Sequence, residues 1–248
     1  MSEPSVQPDK TSEPVEPRTS TRGLSQEIAF QQLRDLIVMG KIAPGSWVVE
    51  ADLAERLGLS RTPIRGALQL LQSAGYAVEH RSGTKSRILI APLTMDDAHE
   101  LYTIVGKLEG LVGTRLASLP KSEVTALAND LAEINSSIQD LAKVGQSNAR
   151  QIFDLDSAFH RKFVEAAAGP RLLSLHRSVK PQIERYWRLY ANTIVKDLNV
   201  SVKEHNDIIA AIRLADANRI ERAIEANWTA GFERIAKLIE IFGERGSW

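Results

Sequence analysis

Between Leu53 and Ile90 the chain offers a short helix, a tight turn, a second helix and a basic hairpin, with no gap between them. Ala51 to Leu57 has helical character and stops at Gly58. The next helix opens on Ser60-Arg61-Thr62-Pro63-Ile64-Arg65 and runs to Ala74, where Gly75 ends it. Pro63 is tolerated there because a first-turn residue has no intrahelical use for its N–H. Ser60 or Thr62 serves as the cap. Two short strands follow, Ala77 to Arg81 and Arg87 to Ile90, around the turn Ser82-Gly83-Thr84-Lys85. Few folds use that order, and the winged helix-turn-helix is the one it fits.

On the second helix Ile64, Ala67, Leu68 and Leu71 fall at i, i+3, i+4 and i+7, a face that packs on Leu53 and Leu57. The opposite face carries Arg61, Arg65 and Gln69, with Thr62 beside them. Recognition helices enter the major groove by their N-terminal residues, and an arginine fork matches O6 and N7 of guanine. The uncovered N–H groups at the tip favour a phosphate. Arg81, Gly83 and Lys85 form a wing able to reach the neighbouring backbone or minor groove. Taken alone, Arg61 and Arg65 would be an ordinary solvated pair; the order of the elements gives them a purpose.

The composition agrees. Basic and acidic residues balance at 31 each. Yet Arg61, Arg65, Arg81, Lys85 and Arg87 face only Glu79 within their stretch, a local basic excess in a neutral chain. With 248 residues there is room for two domains of ~100–200 residues. The absence of cysteine excludes disulfides, thiolate metal sites and a cysteine nucleophile. No apolar run approaches the ~18–20 residues of a membrane span, and no secretory signal is legible, so the expected compartment is the cytoplasm and no membrane partner is implied.

Residues 1–23, with Pro4, Pro8, Pro14 and Pro17 among polar residues, lack the apolar content to order themselves. A helix begins at Leu24, with Ile28, Leu33, Leu36 and Ile37 as its stripe. Pro44-Gly45 makes a turn and Trp47-Val48-Val49 a short strand. The winged domain spans 24–92, and Ala91-Pro92-Leu93 links it to a second domain over 93–248. There the helical period recurs at 95–118, 121–143, 147–168, 170–196, 201–215 and 217–242. The expected fold class is mainly α: a winged helix-turn-helix followed by an antiparallel helical bundle.

In that bundle polar residues interrupt apolar stripes. Asp156 and His160 lie on or beside Ile152, Leu155, Phe159 and Phe163. His205 shares a face with Ile208, Ile209 and Ile212, and Asn227 continues the stripe of Ile220 and Ile224. Asp and His at i, i+4 can hold one divalent ion from adjacent turns, and a third imidazole would complete a facial set; a satisfied core histidine and a plain surface pair are the alternatives. Arg185 and Arg188, beside Tyr186 and Trp187, are candidates to face an anionic effector; a basic helix face or a dimer contact explains them equally well. His80, His99 and His176 have no partner pattern and read as structural.

Gln32 to Ile90, through Pro44-Gly45, Leu53-Ala54, Leu57 to Arg65, Ala67-Leu68, Leu71 and Gly75, closely resembles the N-terminal domain of the GntR family of bacterial transcription regulators. The resemblance implies operator contacts from Arg61, Thr62 and Arg65 and a wing from Arg81 to Lys85. An arginine that some members carry at the start of the preceding helix is Ala51 here. Residues 95–240 resemble the FCD ligand-binding domain of the FadR-type subfamily, through Asp156-x-x-x-His160, Glu204-His205 with Ile208 and Ala211-Ile212, and Asp216. That resemblance implies a divalent metal, zinc or nickel, held by Asp156, His160 and His205, and a small carboxylate effector beside it. The fourth family ligand, a histidine, is Asn227, and a frequent arginine before Glu109 is Val105. The resulting expectation is a homodimeric repressor on palindromic double-stranded DNA, responsive to an organic acid and not an enzyme. A metal-dependent enzyme using the Asp–His–His set and a regulator with a vestigial pocket are the competing readings.

Overall fold

A computed structural model describes residues 21–83, 85–144, 149–194 and 198–246. The expected tail lies outside the described residues as far as residue 20. The first helix, α1 (Thr21–Val38), buries Ala29, Leu33 and Ile37, whereas Ile28 is exposed. The stripe is thus displaced by one position from its most apolar-looking start.

The winged domain follows the sequence closely. Helix α2 (Glu50–Leu57) ends where Gly58 takes a left-handed conformation and returns its N–H to Ala54 and Glu55 carbonyls. Helix α3 (Arg61–Ser73) buries Ile64, Ala67, Leu68 and Leu71 completely. Strands β1 (Ala77–Ser82) and β2 (Lys85–Ile90) pair antiparallel, Ala77 opposite Ile90 and Ser82 opposite Lys85, with Gly83 at the tip. Trp47 adds one bridge to Leu89. Leu33, Ile64, Leu68, Tyr76 and Ile90 make the core of this half.

The second half is a helical bundle: α4 (Met95–Gly110), α5 (Gly113–Ala117), α6 (Lys121–Val144), α7 (Ala149–Ala167), α8 (Pro170–Ile194), α9 (Leu198–Arg213) and α10 (Ala217–Phe242). The single helix expected over 95–118 is two, because the chain turns at Leu111-Val112. A Cβ at Gly113 would stand 3.0 Å from the Ala217 carbonyl oxygen, so this glycine lets the start of α10 lie against α5. Phe159, Phe163, Tyr186, Ile208, Ile220 and Ile224 fill the centre of the bundle.

The halves are tied at the linker. Leu93 and Arg245 exchange backbone hydrogen bonds of 2.8 and 3.0 Å, so the chain end after α10 pairs with the linker. Thr94 caps α4 through its side chain, and its N–H donates to the Tyr186 hydroxyl at 3.1 Å. Gln182 of α8 donates to the carbonyl of Ala74, the C-cap of α3, at 2.8 Å.

Candidate functional site

Two places concentrate polar side chains, and the first is the tip of α3. Ser60, Arg61, Thr62, Arg65 and Gln69 are all exposed. Ser60 occupies the N-cap position, but its side chain makes no capping bond; the first N–H groups of α3 therefore stay open to an anion. Arg65 lies as a fork on Glu50 of α2, with Nε and an Nη at 3.1 and 2.9 Å from the two carboxylate oxygens. That hydrogen bond lowers the pKa of Glu50. On the wing, Arg81 grips Glu79 at 3.2 and 3.0 Å, and Ser86 donates to the same carboxylate. Gly83 is exposed at the turn; the side chain of Lys85 lies outside the described residues. Arg87 stacks over Trp47, 5.8 Å from the ring centroid.

The second place is inside the bundle. Asp156 and His160, on adjacent turns of α7, and His205 of α9 bring ligand atoms within 4.8 Å of one another. His205 is fully buried and stacks on Phe159 at 4.0 Å between ring centroids. Its Nδ1 lies 3.0 Å from the Asn135 side-chain oxygen, while the Asn135 amide nitrogen donates to Val202 and Asn206. Burial pushes the His205 pKa down to about 3, so the ring is neutral. Its Nε2 has no hydrogen-bond partner and stands 3.5 Å from an Asp156 carboxylate oxygen. With the proton of His205 on Nδ1, two electron-pair donors face each other at a distance that a cation can bridge. The residues present therefore fit a divalent metal, with imidazole and carboxylate ligands of the kind zinc and nickel take.

Behind His160 stands a residue that the sequence pattern did not single out as functional. Glu109 of α4 is completely buried and takes the His160 Nδ1–H at 2.6 Å, the His176 Nε2–H at 2.8 Å and the Trp228 Nε1–H at 2.7 Å. Burial would raise its pKa, but the electrostatic influence and hydrogen bond of His160, together with the His176 bond, outweigh it and hold the carboxyl well below its usual range. His176, read from sequence as partnerless, is thus part of the buried network.

A cavity opens beside this cluster, lined among others by Tyr102, Asp156, His160, Lys180, Trp187 and Arg234. Asn227 lines it too, with its amide nitrogen donating to Glu204 at 2.9 Å. Lys180 sits 4.2 Å over the Trp228 ring, and Arg234 forks onto Glu204 at 2.8 and 3.0 Å. Neither cation stood out in the sequence. Arg185, expected at the cavity, does not line it: its guanidinium donates to the carbonyl of Ala91 in the linker. Arg188 lies over Phe153, 4.9 Å from the ring, and is not a lining residue either. On α8, Lys180, Glu184 and Trp187 share the cavity face at i, i+4 and i+7; Gln182 and Arg185 point to the winged domain.

Residues 25–85 match the profile of bacterial regulatory proteins of the gntR family, and residues 100–230 match the FCD domain. The chain belongs to the GntR family. It is a transcriptional regulator with a DNA-binding winged domain and an FCD domain. An uncharacterized HTH-type transcriptional regulator of Agrobacterium vitis is 32% identical over 143 residues, covering 56% of this chain and 79% of that protein. The gluconate operon transcriptional repressor of Bacillus licheniformis is 25% identical over 201 residues, covering 79% of each. Among solved structures, E. coli McbR/YncC superposes with a TM-score of 0.65 at 16% identity, over 86% of this chain and 98% of that one. That likeness concerns the fold, a winged helix-turn-helix joined to a helical bundle. No described helix of this GntR regulator is long and apolar enough to cross a membrane.

Proposed function

We propose that this chain is a ligand-responsive repressor that binds a palindromic operator as a homodimer and changes its grip when a small carboxylate enters the FCD cavity. The observation that carries the reading is the open, uncapped tip of α3 with Arg61, Thr62 and Arg65 exposed together. One such helix makes few base contacts, so affinity requires a second half-site at high effective concentration, which a dimer supplies. Such a regulator works in the cytoplasm, beside the chromosome.

Asp156, His160 and His205 would hold a divalent cation, zinc or nickel, which would supply positive charge for a carboxylate. Lys180 and Arg234 add cationic side chains to the same cavity, a role the sequence reading gave to Arg185 and Arg188. Asn227 would touch the ion, its water or the effector. A relative that represses a gluconate operon is consistent with an acid as effector. The effector acts only if it prefers one arrangement of the two winged domains over the other.

Operator fragments drawn from DNA beside the gene test the reading by gel shift, with and without sugar acids, dicarboxylates and aromatic acids, after loading with zinc or nickel. The expected result is specific retardation that one class of acid alters. Retardation indifferent to DNA sequence, or to every acid with metal present, counts against it.

A further inference from the structure

We infer that Glu109 and Asn135 are positioning residues that lock His160 and His205 in one tautomer each, aiming both Nε2 atoms at the position beside Asp156. This inference rests on the metal reading above and adds who prepares the ligands. The Trp228 indole can only donate, and it donates to the same Glu109 oxygen, Oε2, that faces His160 Nδ1; that oxygen therefore acts as an acceptor and fixes the proton of His160 on Nδ1. The Asn135 amide nitrogen is already committed to Val202 and Asn206. Its oxygen therefore faces His205 as an acceptor and fixes that ring's proton on Nδ1 as well. Each ring is left with its lone pair on Nε2, which in His205 is buried and without a partner.

The two supports differ in charge. Glu109 is anionic and makes the His160 imidazole more electron-rich; Asn135 is neutral and orients His205 without that effect. His176 and Trp228, donating to the same carboxylate, stop Glu109 from swinging into the cavity to become a ligand itself. Buried acceptors behind metal-bound histidines commonly govern affinity by roughly 10–100-fold.

The test uses the full-length protein stripped of metal. Long-range proton–nitrogen NMR should find both rings as Nδ1–H tautomers, and adding Zn²⁺ should move their Nε2 signals. Calorimetric titration with Zn²⁺ and Ni²⁺ should then show Glu109→Gln binding roughly 10–100-fold more weakly than the parent. Gln keeps the shape and an accepting oxygen, so a purely packing role for Glu109 would lower the melting temperature and leave the metal affinity unchanged. Parent protein that binds neither ion overturns the metal reading and this inference together. Parent binding that Glu109→Gln reproduces overturns the inference alone. So does an Nε2–H tautomer at either ring in the metal-free parent, a result that needs no variant to fold.

Discussion

Arg65 meets a carboxylate of its own domain before it meets a base. The fork on Glu50 holds the guanidinium plane near the tip of α3, and the pairing is exposed enough for DNA to displace or share it. Replacing Arg65 by Ala should weaken operator binding by roughly 5- to 150-fold, the range of one bidentate guanine contact, and relax preference at one base per half-site. Fluorescence anisotropy against operator and scrambled DNA measures both effects; equal losses on the two sequences would make Arg65 a phosphate contact instead.

His205 sets a pH dependence whose sign is fixed by its burial. Its pKa is 6.5 in the unfolded chain and about 3 in the fold. Between those values the unfolded chain binds a proton that the fold does not, so stability falls as pH drops through that window. The slope reaches at most about 1.4 kcal/mol per pH unit. Glu109, held low, adds loss of the same sign below its ordinary value of 4.5. Denaturant titrations of metal-free protein should show the decline, and His205→Gln should remove its upper part. A flat profile between pH 6.5 and 4.5 in the parent would contradict the neutral buried ring.

How much of this was legible follows from where partners lie in the chain. Asp156 and His160 share one helix face at i, i+4, which sequence displays directly. Glu109 with His176, and Lys180 with Trp228, are pairs between separate helices that no spacing encodes. Arg185 stood beside the right aromatics, but on the face of α8 turned to the linker.

That two-sided character makes α8 the element joining cavity and winged domain. Lys180, Glu184 and Trp187 touch the cavity, and Gln182 and Arg185 hold Ala74 and Ala91. Pro181, between Lys180 and Gln182, removes one hydrogen bond from the helix ladder. The end of the chain also meets the winged domain at Gly45, whose φ is 73° and where a Cβ would come within 2.4 Å of the Gly246 Cα. Gly45→Ala should therefore cost about 1–3 kcal/mol of stability through backbone strain and overpacking. Thermal denaturation checks it; an unchanged midpoint would show that the chain end does not dock there. The winged elements were plain in sequence because each is terminated locally by glycine or proline. The break between α4 and α5 was not, since its cause is α10, over a hundred residues onward.

For the whole molecule, the two halves keep separate cores and meet through the linker, α8 and the end of the chain. Each half thus has its own apolar core, and the two are mechanically joined. The central claim is that the tip of α3 reads DNA sequence. In vitro selection from randomised duplex DNA, with the full-length protein and with Arg61→Ala/Arg65→Ala in parallel, tests it most directly. The parent should enrich an inverted repeat, and the double variant should enrich none while still folding. Enrichment of the same repeat by both proteins, or of no motif by the parent, would contradict it.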